Sequence, residues 1–410
     1  MIVIDESMNR ALEDQDIAVK NGFVLKRPIY ALGTKVISIG ADNYRQSRQD
    51  FEALASVEEE AQKIIDIVKK ENRQDQELVL KNCWINSDTG KLETEGAGKL
   101  LFTEHSIRQL IRRTRQSKSY DLPEGDGVLD ASNFIANVNA RLEWRSGLAN
   151  KFLKTAQDDK GNDLKAIFRT RDFPNEGLTE RELYATVSGK FNSDCDVDEI
   201  CKFISQKDPH TKATSLYDGE KFRFDILYHS DIKPENCVAG EIFKAGVTVR
   251  SSDNGTQGIR ISPFVIRNLC LNLIILDRAE QNISLTHLRK NLAEDLQAAI
   301  DTAFHKVSDF KARWESANKE NILQDLFNKD PREVFTKLVK AGHFRVPGVN
   351  QKDLVENMYR AWLQEPQLTR AGIVNAATRS AHTVKWNSIW ATSLLEEQAG
   401  QFLFNNPSLN

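Results

Sequence analysis

The stretch from Gly246 to Cys270, GVTVRSSDNGTQGIRISPFVIRNLC, limits the choice of fold more than any other part of the chain. Val247, Val249 and Ser251 alternate with Thr248 and Arg250, and Ile259 and Ile261 resume the alternation around Arg260. A period of two is that of a strand with one apolar face. Between the arms, Asn254-Gly255 tolerates the positive φ of a tight hairpin. The spacing predicts two antiparallel strands, with valines and isoleucines inward and Arg250 and Arg260 toward solvent. Pro263 has no N–H for a ladder, so it is expected to end the second strand or mark an edge. FVIRNLCLNLIIL then reads as a buried segment, with helix favoured over strand because the run is long and Arg267 and Asn268 suit one face. An arginine in so apolar a run needs an acid, a carbonyl or a phosphate.

The hairpin lies in a strand-rich middle that includes LKAIFRTRDF, ELYATVSGKF and FRFDILYH. Ahead of it, VLKRPIY and TKVISIGADNY suggest short extended pieces. FEALASVEEEAQKIIDIVKKENRQ has the spacing of an amphipathic helix, and a turn is expected at Ser87–Gly90. FTEHSIRQLIRRTRQSKSYDLP predicts a helix capped by Thr103, with Ile107, Leu110 and Ile111 on one side. Residues 131–155 predict another. From Ser284 the spacing turns helical, and Leu288, Leu292, Leu296, Ala299, Ile300, Ala303, Phe304, Val307 and Phe310 mark about seven turns. Helices over 330–364 and near the C-terminus follow. The expected fold class is α+β: a central antiparallel sheet with packed helices, then a mainly helical C-terminal region. The expected divisions are a mixed region at 1–98, a core with the hairpin at 99–283, and a helical region at 284–410.

With 40% hydrophobic and 28% charged residues the chain has the composition of a globular protein, and its formal charge of -3 announces no polyanionic partner. Local charge differs. Arg108, Arg112, Arg113, Arg115 and Lys118 crowd one segment with few acids. Like charges three and four residues apart repel, and a phosphate chain would relieve that cost; a solvated helix face is the plainer alternative. Lys165, Arg169 and Arg171 would extend such a footprint. The nearby aromatics Phe168, Phe173, Tyr184 and Tyr217 suit either a core or base stacking.

Catalytic signals are sparse. No phosphate-binding glycine loop, nucleophile elbow or zinc-binding histidine pair is present, so no cofactor is expected and a classical enzyme is disfavoured. Asp194, Asp196 and Asp198 alternate as Mg²⁺ ligands of a nuclease could, although a solvated acidic turn opening a helix is the plainer reading. Five scattered cysteines suit reduced thiols in the cytoplasm. No secretion signal or membrane span is expected.

Gly246, Ser252, Asn254, Gly255, Pro263, Phe264, Arg267, Cys270 and Asn272 resemble the central signature of the phage- and plasmid-like family called domain of unknown function 932. Asn375, Ala376, Thr378, Arg379 and Ala381 resemble its closing motif. RELYATVSGKFNSDCDVDEI resembles an earlier one, with Phe191 where a tyrosine is usual; Leu271 and Leu273 also depart from the pattern. The resemblance spans roughly residues 100–400. It implies a protein of mobile elements found near DNA-handling genes, with a remote likeness to Redβ- and RecT-type single-strand annealing proteins. The expected function is binding of single-stranded DNA by a homo-oligomer, with strand annealing that needs no ATP. Alternatives are a non-catalytic oligomeric interaction or regulatory protein, and the metal-dependent nuclease.

Overall fold

The computed structural model describes residues 54–114, 120–121, 128–129, 131, 135, 141–172, 181–188, 196–207, 209–217, 219–235, 241–267, 273–276, 283–285, 292–320, 330–347, 349–367, 369–383 and 390–405. The extended pieces expected within residues 1–50 lie outside them, as do Arg115, Lys118, Asp194, Cys270 and Asn272. The described residues have the expected α+β architecture, with two six-stranded sheets and a mainly helical C-terminal region.

Helix α1 (Val57–Lys70) opens with a capping box between Ser56 and Glu59, carries Glu58–Glu60 in its first turn and ends in Lys69 and Lys70. Both ends thus complement the helix dipole. The first sheet contains β1 (Gln74–Val79), β2 (Cys83–Ile85), β3 (Leu92–Thr94), β4 (Gly98–Phe102), β7 (Lys165–Asp172) and β8 (Arg181–Val187), in the order β1-β7-β8-β4-β3-β2. A short ribbon, β5 (Tyr120–Asp121) with β6 (Val128–Leu129), stands apart. The expected turn at 87–90 joins β2 to β3, and Gly90 takes a φ of 68°. Helices α2 (Glu104–Arg113) and α3 (Leu142–Lys154) cover one sheet face through Ile107, Leu110, Ile111, Leu148, Phe152 and Leu153. Thr103 and Ser106 cap α2 reciprocally.

Helix α4 (Val197–Lys207) leads to the second sheet: β9 (Lys212–Tyr217), β10 (Lys221–Ile232), β11 (Phe243–Ser252), β12 (Ile259–Arg267), β13 (Leu273–Ile275) and β14 (Ile283–Leu285). The order is β9-β10-β11-β12-β13, with β14 also on β12. One face carries Phe222, Phe224, Ile226, Val247, Val249, Ile259 and Ile261, buried under α1, α4 and α5 (Leu292–His305). The chain continues through a 3₁₀ turn at Lys306–Asp309 into α6 (Phe310–Lys319), α7 (Pro331–Lys340), α8 (Gln351–Leu363), α9 (Arg370–Thr383) and α10 (Trp390–Phe404). These helices share a core with Phe243, Val265, Ile274 and Leu276.

Four expectations change here. Phe264–Arg267 is strand, not helix: Phe264, Val265 and Ile266 pair with β11 on one side and β13 on the other. Pro263 lies mid-strand rather than at its end. Its carbonyl accepts from Leu276 N at 2.8 Å, so its missing N–H faces the gap between β13 and β14, where no ladder bond is lost. Ile283–Leu285 is a strand paired with Ile259–Ile261, and the long stripe after it is broken by the 3₁₀ turn. Finally, a division at residue 98 cuts the β3–β4 hairpin, where Thr94 pairs with Gly98, and the 99–283 portion contains parts of both sheets.

Candidate nucleic-acid interface

The β11–β12 hairpin forms with Arg250 opposite Arg260 and Gly255 at a φ of 75°. Gly246 faces Phe264, whose ring occupies the space a Cβ would need. The tip closes on itself: Ser252 Oγ accepts from Gln257 N and donates to Gln257 O, while Asn254 Oδ1 accepts from Thr256 N. Its two sides differ: Gly255, Thr256 and Gly258 are exposed, whereas Ser251, Ser252, Asp253 and Asn254 are buried against α2, α4 and the first sheet.

Three sets of contacts hold it there. The Asn254 carbonyl accepts from Gln109 Nε2 at 2.7 Å and lies 3.0 Å from His105 Nε2, both on α2. The Asp253 carboxylate accepts from Val197 N at 2.8 Å, at the start of α4, and from Arg73 Nη1 at 2.5 Å. The Asp253 carbonyl accepts from Arg169 Nη1 at 3.0 Å. Behind the tip, Arg73, Arg169 and Arg171 lie over the Tyr184 ring, 4.6–5.5 Å from its centre. Tyr184 is the extra residue of a β-bulge, since Arg169 pairs with Ala185 and Thr170 with Leu183. A bulge re-aims a side chain in this way.

The three guanidinium groups meet five carboxylates. Arg73 bonds Glu71 and Asp253; Arg169 bonds Asp75 and Asp196; Arg171 bonds Glu182 and reaches Glu71 at 3.5 Å. Asp75 is exposed, but the four buried acids still outnumber the three bases. Burial and the neighbouring Asp253 carboxylate push Asp196 up to about 7, against the opposing pull of Arg169. Tyr184 is likewise pushed up by burial.

Arg169 and Arg171 are therefore buried structural cations, and neither extends a surface footprint. Arg250 is also covered, contrary to the expectation that it faces solvent. The face opposite the valines is closed by α10, where Glu397 pairs with Arg250 and lies 3.8 Å from Arg260. Arg260 keeps 40% of its side chain exposed. The residue preceding Glu397, Glu396, accepts from buried Arg223 at 2.7 Å and meets His382 at 3.2 Å. Lys165 is exposed and paired with Glu77, away from the other two cations of its strand.

On α2, Arg112 is exposed, Arg108 is half-buried, and Arg113 turns inward to donate to Thr186 O at 3.0 Å. Burial holds His105 below its usual value, and Arg108, Arg112 and Lys221 add to that effect. Lys221 pairs with Ser252 across β10 and β11, so it stands at the tip on which the α2 helix of Arg108 and Arg112 is docked. Beside them a cleft of about 360 Å³ is lined by Lys221, Arg250, Gln257, Trp390, Ser393 and Glu397, with Val346, Pro347, Ala391 and Leu394 as apolar walls. Lys221 and Trp390 carried no sequence signal, since their meeting depends on α10 packing back onto β10 and β11.

Arg267 has the internal role expected of it. It donates to Glu241 at 2.5 Å and, two-pronged, to Glu365 at 2.6 and 2.7 Å; Arg379 reaches the same Glu365 at 2.9 Å. The hydrogen bonds to Arg267 and Arg379 hold Glu365 low despite its burial. Asn375 is buried on α9, one turn before Arg379. Of the nuclease candidates, Asp196 faces Arg169 inside and Asp198 faces Lys202 on the outside of α4, so the two do not converge. Among the described residues, no group of three or more His, Cys, Asp or Glu is arranged to hold a metal ion, and no helix is long and apolar enough to cross a membrane. Cys83 and Cys201 are buried free thiols, and burial pushes Cys83 up to about 12.

Compared with protein-family models, curated proteins and solved structures, the chain gives no match.

Proposed function

We propose that this chain binds single-stranded nucleic acid along the seam where α2 docks on the β11–β12 tip. The observation that carries the reading is that α2, docked through His105 and Gln109 on the Asn254 carbonyl, brings Arg108 and Arg112 to the tip where Lys221 pairs with Ser252 in the β10–β11 register. Arg260, on the same hairpin, is the fourth cation. Side chains of this kind position a phosphate backbone without reading its bases. Trp390 beside Lys221 adds an aromatic face of the type on which unpaired bases stack. The motif resemblance to a family of phages and plasmids points the same way, to DNA handling and strand annealing in a homo-oligomer.

Fluorescence anisotropy with a labelled oligothymidylate tests this. Four phosphate contacts at about -0.7 each give a log–log salt slope near -2.8, so affinity falls roughly 50-fold between about 50 and 200 mM salt. Absence of binding at the lower salt, or binding with no salt slope, rejects the reading.

A further inference from the structure

We infer that the cleft between the hairpin and α10 holds a single nucleotide, its base on Trp390 and its phosphate beside Lys221. The volume of about 360 Å³ lies within the roughly 300–1,000 Å³ range of small-molecule sites. The lining has the parts such a unit needs. Lys221 Nζ stands over the Trp390 ring, 5.9 Å from its centre, a loose contact that a stacked base replaces as the ammonium moves to the phosphate. Arg250 and Glu397, the one acid in the lining, pair with one another, so Lys221 sets the charge of the cleft; Glu396 is turned away to Arg223 and His382. Glu397 offers an acceptor for a base amine or sugar hydroxyl.

A second observation is independent of the charges. Ser393 lines the cleft, is 4% exposed, and its Oγ has no hydrogen-bond partner among the described residues. A buried hydroxyl left so is costly, and a ligand polar atom satisfies it. Val346, Pro347 and Leu394 complete an apolar enclosure suited to a flat ring.

The same contacts accept a free mononucleotide or one unit of a bound strand. For the second source the inference rests on the seam reading, because Lys221 belongs to both places and Gln257 of the hairpin loop lines the cleft.

The test uses the full chain with adenosine 5′-monophosphate, and separately with an oligothymidylate carrying one 2-aminopurine. Protein fluorescence reports the first and 2-aminopurine fluorescence the second. We expect at least one to be quenched in the natural chain, and that response to be lost in Trp390→Leu. Lys221→Gln, at a partly exposed position that needs no repacking, should weaken the responding ligand roughly tenfold, as loss of a charge-assisted contact does. It keeps the test valid if Trp390→Leu does not fold. Arg112→Glu should weaken the oligonucleotide and leave the mononucleotide within about twofold. Oligonucleotide binding by anisotropy, with neither quench sensitive to these cleft variants, overturns the cleft and spares the seam. Mononucleotide binding without oligonucleotide binding overturns the seam and spares the cleft.

Discussion

Arg267 shows how far a single residue can be read. Its apolar neighbours alone require a buried charge with partners, and Glu241 and Glu365 supply them. Removing one member of such a network strands the others, so Arg267→Ala should lose about 3–5 kcal/mol of stability in urea unfolding. A loss under about 1 kcal/mol would mean that Glu365 and Arg379 hold together without it. Arg250, Arg169 and Arg171 were not legible in the same way. Alternation correctly puts Arg250 opposite the valines, but the element that covers that face, α10, begins 140 residues later. Asp196 offers a pH test. Its folded pKa near 7 lies above the ordinary carboxylate value of about 4, so the folded state holds the extra proton. Its contribution is fully present below about pH 4 and is lost as pH rises through about 7. Urea unfolding from pH 4 to 8 should show a decline that is absent in Asp196→Asn. Parallel profiles for the two proteins would contradict it.

At the scale of elements, local signals succeed where the local chain decides. Thr103 caps the helix it precedes, and the α4 acids open a helix as expected. Phe264–Arg267 fails because a continuous apolar run is compatible with either element. Its cross-strand partners settle the matter: β11 lies earlier in the chain, and β13 is the far end of the same apolar run, paired antiparallel with its start. The broken α5–α6 stripe is similar: the apolar spacing is right, but it carries no mark of the 3₁₀ step. Gly246 shows why this position needs a glycine. A Cβ would overlap the Phe264 ring and stand 2.5 Å from Ile226 O. Gly246→Val should therefore cost about 2 kcal/mol or more, seen as a lower urea midpoint at unchanged slope. An unchanged midpoint would show that β10 and β12 yield more readily than their packing suggests.

At the scale of the whole molecule, the hairpin is a joint. Its tip links the first sheet through Arg169 and α2 to the second sheet that it belongs to, while α10 closes the hairpin's polar face. That arrangement leaves cations at the seam and reserves the inner arginines for structure. The most direct test of the seam reading is single-strand binding by Arg108→Glu/Arg112→Glu beside Lys69→Glu/Lys70→Glu, a reversal on α1, which packs against the opposite face of the second sheet. Both remove and reverse two charges, so net charge is matched. The seam variant should lose roughly 100-fold or more in affinity at about 50 mM salt, and the α1 variant should stay within about threefold. Equal losses in the two variants would contradict the account.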